Sequence, residues 1–358
     1  MNILITILLG FSLLGLLDKI LGGKLGLVHS FDTGFGSIAS LSLSVIGIYC
    51  VGITIVQNAS EQIQTLASYL PFDVSLLIAS ILGPDMGGYS ISKEIAQTPL
   101  LRVFSGVMVS SSLGATTSFI LPIALGSIRQ KDTVDFMLGI VRGIATVPLC
   151  VLTGGLLIGL PFSTLCKNLF PIILLCLILC IALLKAEKIT IGVLSVFGNC
   201  IRIISLILFA IVIIGLYFPQ CKFVPDTLFW ESLVIVLQVA IIISGSMVAS
   251  SLILKFFRRP MISLGKKLGM NEFSIIGLLM NLASSISMLP LLEQMDKRGK
   301  IANAAFAVSG GFALGGQLAF ISSVEPTQVV TAFIIAKFVG GFSAIAITML
   351  TVKTSQTS

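Results

Sequence analysis

Apolar stretches of membrane-spanning length recur through the whole sequence, at 3–21, 38–56, 103–128, 134–160, 169–184, 191–218, 233–254, 301–324 and 329–350. About 20 apolar residues in a helix cross the roughly 30 Å hydrocarbon core of a bilayer. Within lipid every backbone N–H and C=O must be satisfied by the protein itself, which leaves helical bundles and closed barrels as the only spanning folds. The runs are continuously apolar rather than alternating, and at this length they read as helices. Composition agrees, with 56% hydrophobic and only 10% charged residues and a mean hydropathy of +1.10, where soluble domains carry about 25% charge. The first run contains Asp18-Lys19 and lacks a positive leader, so it reads as a retained helix and not a signal peptide.

Two further segments are apolar but too short or too interrupted to span. Residues 74–82 amount to about 14 Å of helix before Gly83-Pro84-Asp85 breaks them. Residues 273–292 are interrupted by Asn281, by Ser284-Ser285 and Ser287, and then by Pro290. Both fit helical hairpins that enter and leave on one side. Charge bias supports that topology. With the amino terminus outside, the inner loops collect Lys19, Lys24, Arg129, Lys131, Lys185, Lys188 and the basic clusters at 255–267 and 297–300. The outer side holds only Lys93, Arg102, Lys167 and Lys222. Cytoplasmic loops carry such an excess of Lys and Arg, and making both segments full crossings would move one of the two clusters outside.

The order of two spans, a hairpin and two spans then occurs twice around one odd connecting span, which inverts the second half relative to the first. Faint matches agree: Leu113-Gly114 answers Leu314-Gly315, Ser105-Gly106 answers Ser309-Gly310, and Arg142 answers Lys337. The expected fold is an all-α polytopic membrane protein of about nine transmembrane helices plus two re-entrant helical hairpins in inverted repeats. The first repeat is 1–160, with its hairpin at 74–97. The connecting span is 161–189, and the second repeat is 190–358, with its hairpin at 273–292.

Several function classes have no material to work with. The net charge of +7 is the loop Lys/Arg surplus of a membrane protein, not a nucleic-acid surface. The seven cysteines form no C-x-x-C pair, and His29 is the one histidine. Metal sites and Ser/His/Asp hydrolysis are therefore not expected, and no cofactor is implied. Asp85 and Glu94 could form an acid pair, but an intramembrane enzyme would also need a nucleophile or metal.

A carboxylate at membrane depth normally faces a cavity, a partner or a transported ion. Asp85 sits in LLIASILGPDMGGY (76–89), framed by Gly83, Pro84, Gly87 and Gly88. Broken segments of this kind build cation sites in transporters; the plainer reading is a Gly-Pro turn with an exposed acid. If the hairpin tips meet near the midplane, Asp85 would face Asn281, Ser284 and Ser285, with Gln317 on the following span and Tyr89 as a nearby aromatic. Glu94, Gly87, Gly88, Asp296, Lys300 and Asn303 read as gate or structural groups. The polar run 110–118 and the G-x-x-x-G pairs Gly139/Gly143 and Gly311/Gly315 read first as helix contacts. One carboxylate among hydroxyls and amides suits a small protonated amine bearing an alcohol; a quaternary amine would want an aromatic cage, and the chain has one tryptophan, Trp230.

These residues carry a resemblance. Asp-Met-Gly-Gly-Tyr at 85–89 with Lys93-Glu94, Phe31-Asp-Thr-Gly-Phe35, Arg259-Pro260, Gly265-Lys266 and Met270-Asn271 are similar to the ethanolamine utilisation permease family, the EutH type. So are QMDKRGK at 294–300, Asn303 and AFAVS at 305–309. The resemblance runs in order along essentially the whole chain. It implies a multi-pass protein of the bacterial cytoplasmic (inner) membrane that carries ethanolamine. Three places depart from the family pattern: Ser284-Ser285 stand for paired asparagines, Gly316-Gln317 for Asp-His, and Arg142 for a small residue. The expected partners are ethanolamine and the lipid bilayer, with a homo-oligomer left open. The expected mechanism is alternating access. A carrier of another small polar solute is the alternative, ahead of an intramembrane enzyme.

Overall fold

The computed structural model describes residues 3–352, apart from 59–61, 63, 64, 66, 68, 122 and 125–127. Its helices are α1 (Ile3–Ile20), α2 (Val28–Leu41), α3 (Ile53–Asn58), α4 (Ser75–Ala79), α5 (Gly88–Ile95), α6 (Pro99–Val103), α7 (Gln130–Leu157), α8 (Phe162–Lys185) and α9 (Glu187–Tyr217). They continue with α10 (Asp226–Leu268), α11 (Glu272–Ala283), α12 (Lys297–Ser309), α13 (Gly316–Val324) and α14 (Thr327–Thr351). No strand occurs among the described residues, as an all-α membrane fold requires. Five helical stretches there are long and apolar enough to cross a membrane: Pro99–Ile120, Gln130–Leu157, Phe162–Lys185, Asp226–Ala249 and Thr327–Thr351. The chain is a multi-pass membrane protein.

Two groups of helices frame the interrupted segments. In one, α7 packs along α12 and α14, because small residues let the axes close. A Cβ on Gly143 would stand 2.7 Å from the Val308 side chain, and one on Gly340 2.7 Å from Cys150 Cβ. Without a hydrophobic driving force in lipid, such close approach is what holds helices together. In the other, α10 packs on α1 and α2, with a Gly34 Cβ placed 2.8 Å from the Ser244 backbone nitrogen. By contrast α8 turns exposed apolar side chains outward, among them Phe170, Leu174, Leu177, Ile181 and Leu184, the pattern of a lipid-facing helix.

Both short segments have their ends tied together. In the first, the Asp73 carboxylate accepts from Ser75 N–H at 2.9 Å and, from the far end, Gln97 N–H at 2.9 Å. In the second, the Asp296 carboxylate accepts from Asn271 N–H at 2.8 Å and Ser274 Oγ at 2.7 Å, while Asn271 Nδ2 donates to Gln294 O at 2.8 Å. Each segment therefore starts and finishes at one place. Helix starts follow the same logic: Thr98 caps Leu101 N–H and Asp296 caps Gly299 N–H, each satisfying a donor that the first turn leaves open.

Apolar run 301–324 reads as one span of discontinuous character at Ser309-Gly-Gly311 and Gly315-Gly-Gln317, and in the structure it is two helices. α12 ends at Ser309 and α13 begins at Gly316, with Phe312 at φ 59° between them. A bulky residue in left-handed backbone is strained. Here it is held by Phe312 N–H donating to Asn281 O at 2.9 Å and Leu314 N–H donating to Leu282 O at 2.8 Å. The tip of the second interrupted segment thus pairs, backbone to backbone, with the break in the next helix.

Candidate functional site

Proline forces the first break. Pro84 pushes the residue before it out of helical backbone, and Gly83 is extended at φ −62°, ψ 157°. The chain then makes one 3-10 turn, Pro84–Met86, and reverses through Gly87 at φ 95°. Glycine alone adopts that conformation without strain, and a Cβ there would run into Ile48.

Breaking a helix frees carbonyls, and in a membrane interior they need partners. The polar run 110–118 supplies them. Thr117 Oγ1 donates towards Ser80 O and Ile81 O at 3.1 and 3.0 Å, Ser110 Oγ donates to Leu82 O, and Ser118 Oγ accepts from Gly83 N–H at 3.3 Å. These hydroxyls lie on the π-helical turns Phe104–Gly114 and Thr116–Ile120 that continue α6. A π-helical turn is a frequent mark of a functional helix; here it presents hydroxyls to broken backbone.

Asp85 stands on the turn, half-buried. Among the described residues its carboxylate has no ion-pair or hydrogen-bond partner in another residue. Tyr89 is buried and its hydroxyl is already engaged, donating to Glu325 Oε1 at 2.7 Å. Glu94 lies exposed on α5. Gly88 packs close against Ser110 and the Gly83 carbonyl, so both glycines of the pair serve the turn.

At the second break, Ser284 is extended at φ −158°, ψ 121°, and Ser285 opens the 3-10 stretch Ser285–Gln294. Asn281 Nδ2 donates to Asn303 Oδ1 at 3.1 Å, and Asn303 Nδ2 donates to Ser274 O and Gly299 O at 2.8 and 3.0 Å. Asn303 is thus a strut between α11 and α12. Three oxygens are left over: Asn281 Oδ1, Ser285 Oγ and Gln317 Oε1 are buried with no hydrogen-bond partner among the described residues. Which amide atom is oxygen follows from the network; for Asn281 the Asn303 contacts fix it.

The two breaks share neighbours. The Pro84–Met86 turn packs on α13, the helix that follows the Phe312 break with which the second interrupted segment pairs. Phe119, next to the serine that holds Gly83, has its ring 6.0 Å from that of Phe312, which holds Asn281. The turn that carries Asp85 thus packs on the helix that carries Gln317, while Asn281 O and Ser285 Oγ lie against Phe312 and Gly311 in the break before that helix.

Two ion pairs that the sequence did not reveal join distant segments. Arg102 Nη2 is 3.2 Å from Glu325 Oε1, and Lys300 Nζ is 2.6 Å from Asp132 Oδ1. Arg142 engages neither break; its guanidinium bonds Leu138 O and Thr351 Oγ1. Buried Lys337 donates to Ser111 O at 2.8 Å. No group of three or more His, Cys, Asp or Glu side chains placed to hold a metal occurs among the described residues.

Residues 1–351 match the family described as "Ethanolamine utilisation protein, EutH". The chain belongs to this family. A relative named "Probable ethanolamine permease EutH" in Listeria monocytogenes is 34% identical over 348 residues, 97% of this chain and 92% of the relative. The protein of that name in Escherichia coli is 27% identical over 397 residues, 98% of this chain and 95% of the relative. "Uncharacterized protein YxeR" of Bacillus subtilis is 33% identical over 346 residues, 96% of this chain and 92% of the relative. No solved structure matches the chain. The EutH family sequences are thus full-length relatives, and two of the three named here are called permeases.

Proposed function

We propose that this protein is a permease for ethanolamine or a close small amino alcohol in the bacterial cytoplasmic membrane. The relatives' names point to that substrate, and the unpartnered oxygens carry the reading. A buried polar atom without a hydrogen bond costs about 1–3 kcal/mol, so a native protein rarely retains several at one place. Asp85, Asn281 Oδ1 and Gln317 Oε1 are acceptors, and the Ser285 hydroxyl can accept as well as donate. Ethanolammonium offers three N–H donors and one O–H donor on a two-carbon frame. The carboxylate would neutralise the ammonium, and the amide and hydroxyl oxygens would take the remaining donors. This donor set also fits Ser284-Ser285 and Gln317 as they stand, despite their departure from the family pattern.

Alternating access is the mechanism that the surrounding ion pairs favour. Asp73, Thr98 and Arg102 recur at one constant spacing as Asn271, Asp296 and Lys300. The first pair ties a hairpin base, the second caps the next helix, and the third reaches an acid at or just before the start of the other half's last helix. On the charge-biased topology, Arg102–Glu325 would close the outer side and Lys300–Asp132 the inner side. Two equivalent latches on opposite faces of inverted repeats are what a rocking carrier needs. In this reading 74–97 and 273–292 are re-entrant hairpins, 1–160 and 190–358 are the repeats, and 161–189 connects them. Asp296 and Asn303 hold the second hairpin's frame, and Lys300 is a gate group. Uptake of labelled ethanolamine into proteoliposomes tests the proposal. Saturable uptake absent from empty liposomes is expected, and uptake no faster than in empty liposomes would overturn it.

A further inference from the structure

A cavity of about 420 Å³ lies between α1, α10 and α13, lined by Gln238, Ser322, Ser323, Glu325 and Thr327 among apolar neighbours. We infer that it is a second, outer subsite for a small protonated amine, with Glu325 as the counter-charge, occupied before the cation reaches Asp85. The inference rests on the permease reading and deepens it.

Glu325 is only 9% exposed, yet its charge is incompletely answered. Oε1 takes both the Tyr89 hydroxyl at 2.7 Å and Arg102 Nη2 at 3.2 Å. Oε2 has no partner among the described residues. Arg102 does not grip it in the two-pronged way that makes Arg–carboxylate pairs strong, and Arg102 Nε is itself buried without an acceptor. The hydroxyls beside it are chemically one-sided. Ser322 Oγ donates to Ala319 O at 2.9 Å and Ser323 Oγ to Phe320 O at 2.6 Å, so their protons are spent and their lone pairs remain. A cavity with a half-free carboxylate and acceptor hydroxyls selects a ligand rich in donors. A small ammonium fits; a carboxylate or phosphate does not.

The volume exceeds what a two-carbon amine fills, at roughly 30 Å³ per accompanying water. The cation would therefore sit there partly hydrated, as suits a station on the way to a tighter site. An ammonium at Oε2 also competes with Arg102 for Glu325, so arrival of the substrate weakens the outer ion pair across the two halves.

The experiment uses Ser322→Cys in a background with Cys166, Cys200 and Cys221 replaced by serine, those three being the exposed thiols. A membrane-impermeant thiol reagent is applied from outside, with and without ethanolamine. At ten times the half-saturating concentration, occupancy should slow labelling about tenfold. That protection should persist in Ser322→Cys/Asp85→Asn, whose inner site is disabled. Protection that vanishes with Asp85→Asn, or is absent in both proteins, overturns the outer subsite. In parallel, Glu325→Gln keeps an acceptor for Tyr89 and removes the charge; it should raise the half-saturating concentration for uptake about tenfold, and an unchanged value would also overturn the subsite. Uptake by the wild-type protein separates the two claims: transport without protection refutes the subsite alone, and no transport refutes the permease reading.

Discussion

Asp132→Asn removes the proposed inner latch while leaving shape and hydrogen-bonding capacity nearly intact. Lys300 Nζ lies 2.6 Å from Asp132 Oδ1, with side-chain exposures of 14% and 4%. Removing one partner of a buried pair costs about 3–5 kcal/mol when the other charge is stranded. Lys300 is not fully sealed and can rehydrate its ammonium, so the cost falls below that range, at about 2–3 kcal/mol. If that energy holds the inner side shut, its loss raises the inward-open population by roughly 30-fold or more, since each 1.4 kcal/mol is tenfold. Ser287, half-buried in the second interrupted segment, reports the change when replaced by cysteine. Its labelling rate from the cytoplasmic face of inside-out vesicles should rise by that factor in Asp132→Asn. Lys300→Gln should give a similar rise, and the double variant little more, because the two changes remove one interaction. Equal labelling in all four proteins would refute the latch and leave Lys300–Asp132 a structural pair.

Gly87→Ala should lower thermal stability and cut uptake together, because φ 95° is strained for alanine by about 1–2 kcal/mol and its Cβ meets Ile48; an unchanged melting temperature would contradict the turn geometry. Gln317→Leu should hold or raise the melting temperature of the empty protein, since it deletes a buried oxygen with no partner. The same variant should weaken ethanolamine binding about tenfold or more, and normal affinity would remove Gln317 from the site. Single cysteines at 255–272, which the structure shows to be mostly the end of α10, and at 293–300, in a Cys-free background, should resist an impermeant thiol reagent on intact cells. Labelling of one loop but not the other would make 273–292 a full crossing.

Much of this architecture was legible in the sequence because its signals are local. Gly-Pro at 83–84 and Gly-Gly at 87–88 dictate a break wherever they stand, and long apolar runs dictate helices. The pair Gly311/Gly315 was not legible. G-x-x-x-G reads identically whether it lies on a helix face, as Gly139/Gly143 does, or in the turns between two helices, as this pair does between α12 and α13. The run 110–118 was visibly polar, but its task of satisfying the carbonyls of 80–82 needed the fold to align segments far apart in sequence. Tyr89 reads from the sequence as an aromatic beside Asp85, but its hydroxyl is spent on Glu325, which no local pattern marks. The signal that would have found Glu325 and Asp132 is the equivalent placing of Arg102 and Lys300 after the two interrupted segments. Each is a part-buried cation that needs an acid, and the acid that answers it lies far away along the chain.

The central claim is that Asp85 pairs with the transported cation, and equilibrium binding of labelled ethanolamine to purified protein in lipid nanodiscs tests it most directly. Asp85→Asn keeps the turn and removes the charge; losing one partner of a desolvated charge pair costs about 2–5 kcal/mol, at least roughly thirty-fold in affinity. The predicted result is that loss at an unchanged melting temperature, with Asp85→Glu nearly as weak because one more methylene misplaces the carboxylate in a turn bounded by Gly83 and Gly87. Binding of ethanolamine to Asp85→Asn within about threefold of the wild-type affinity, under 1 kcal/mol, would contradict the account and reduce Asp85 to a residue of the turn.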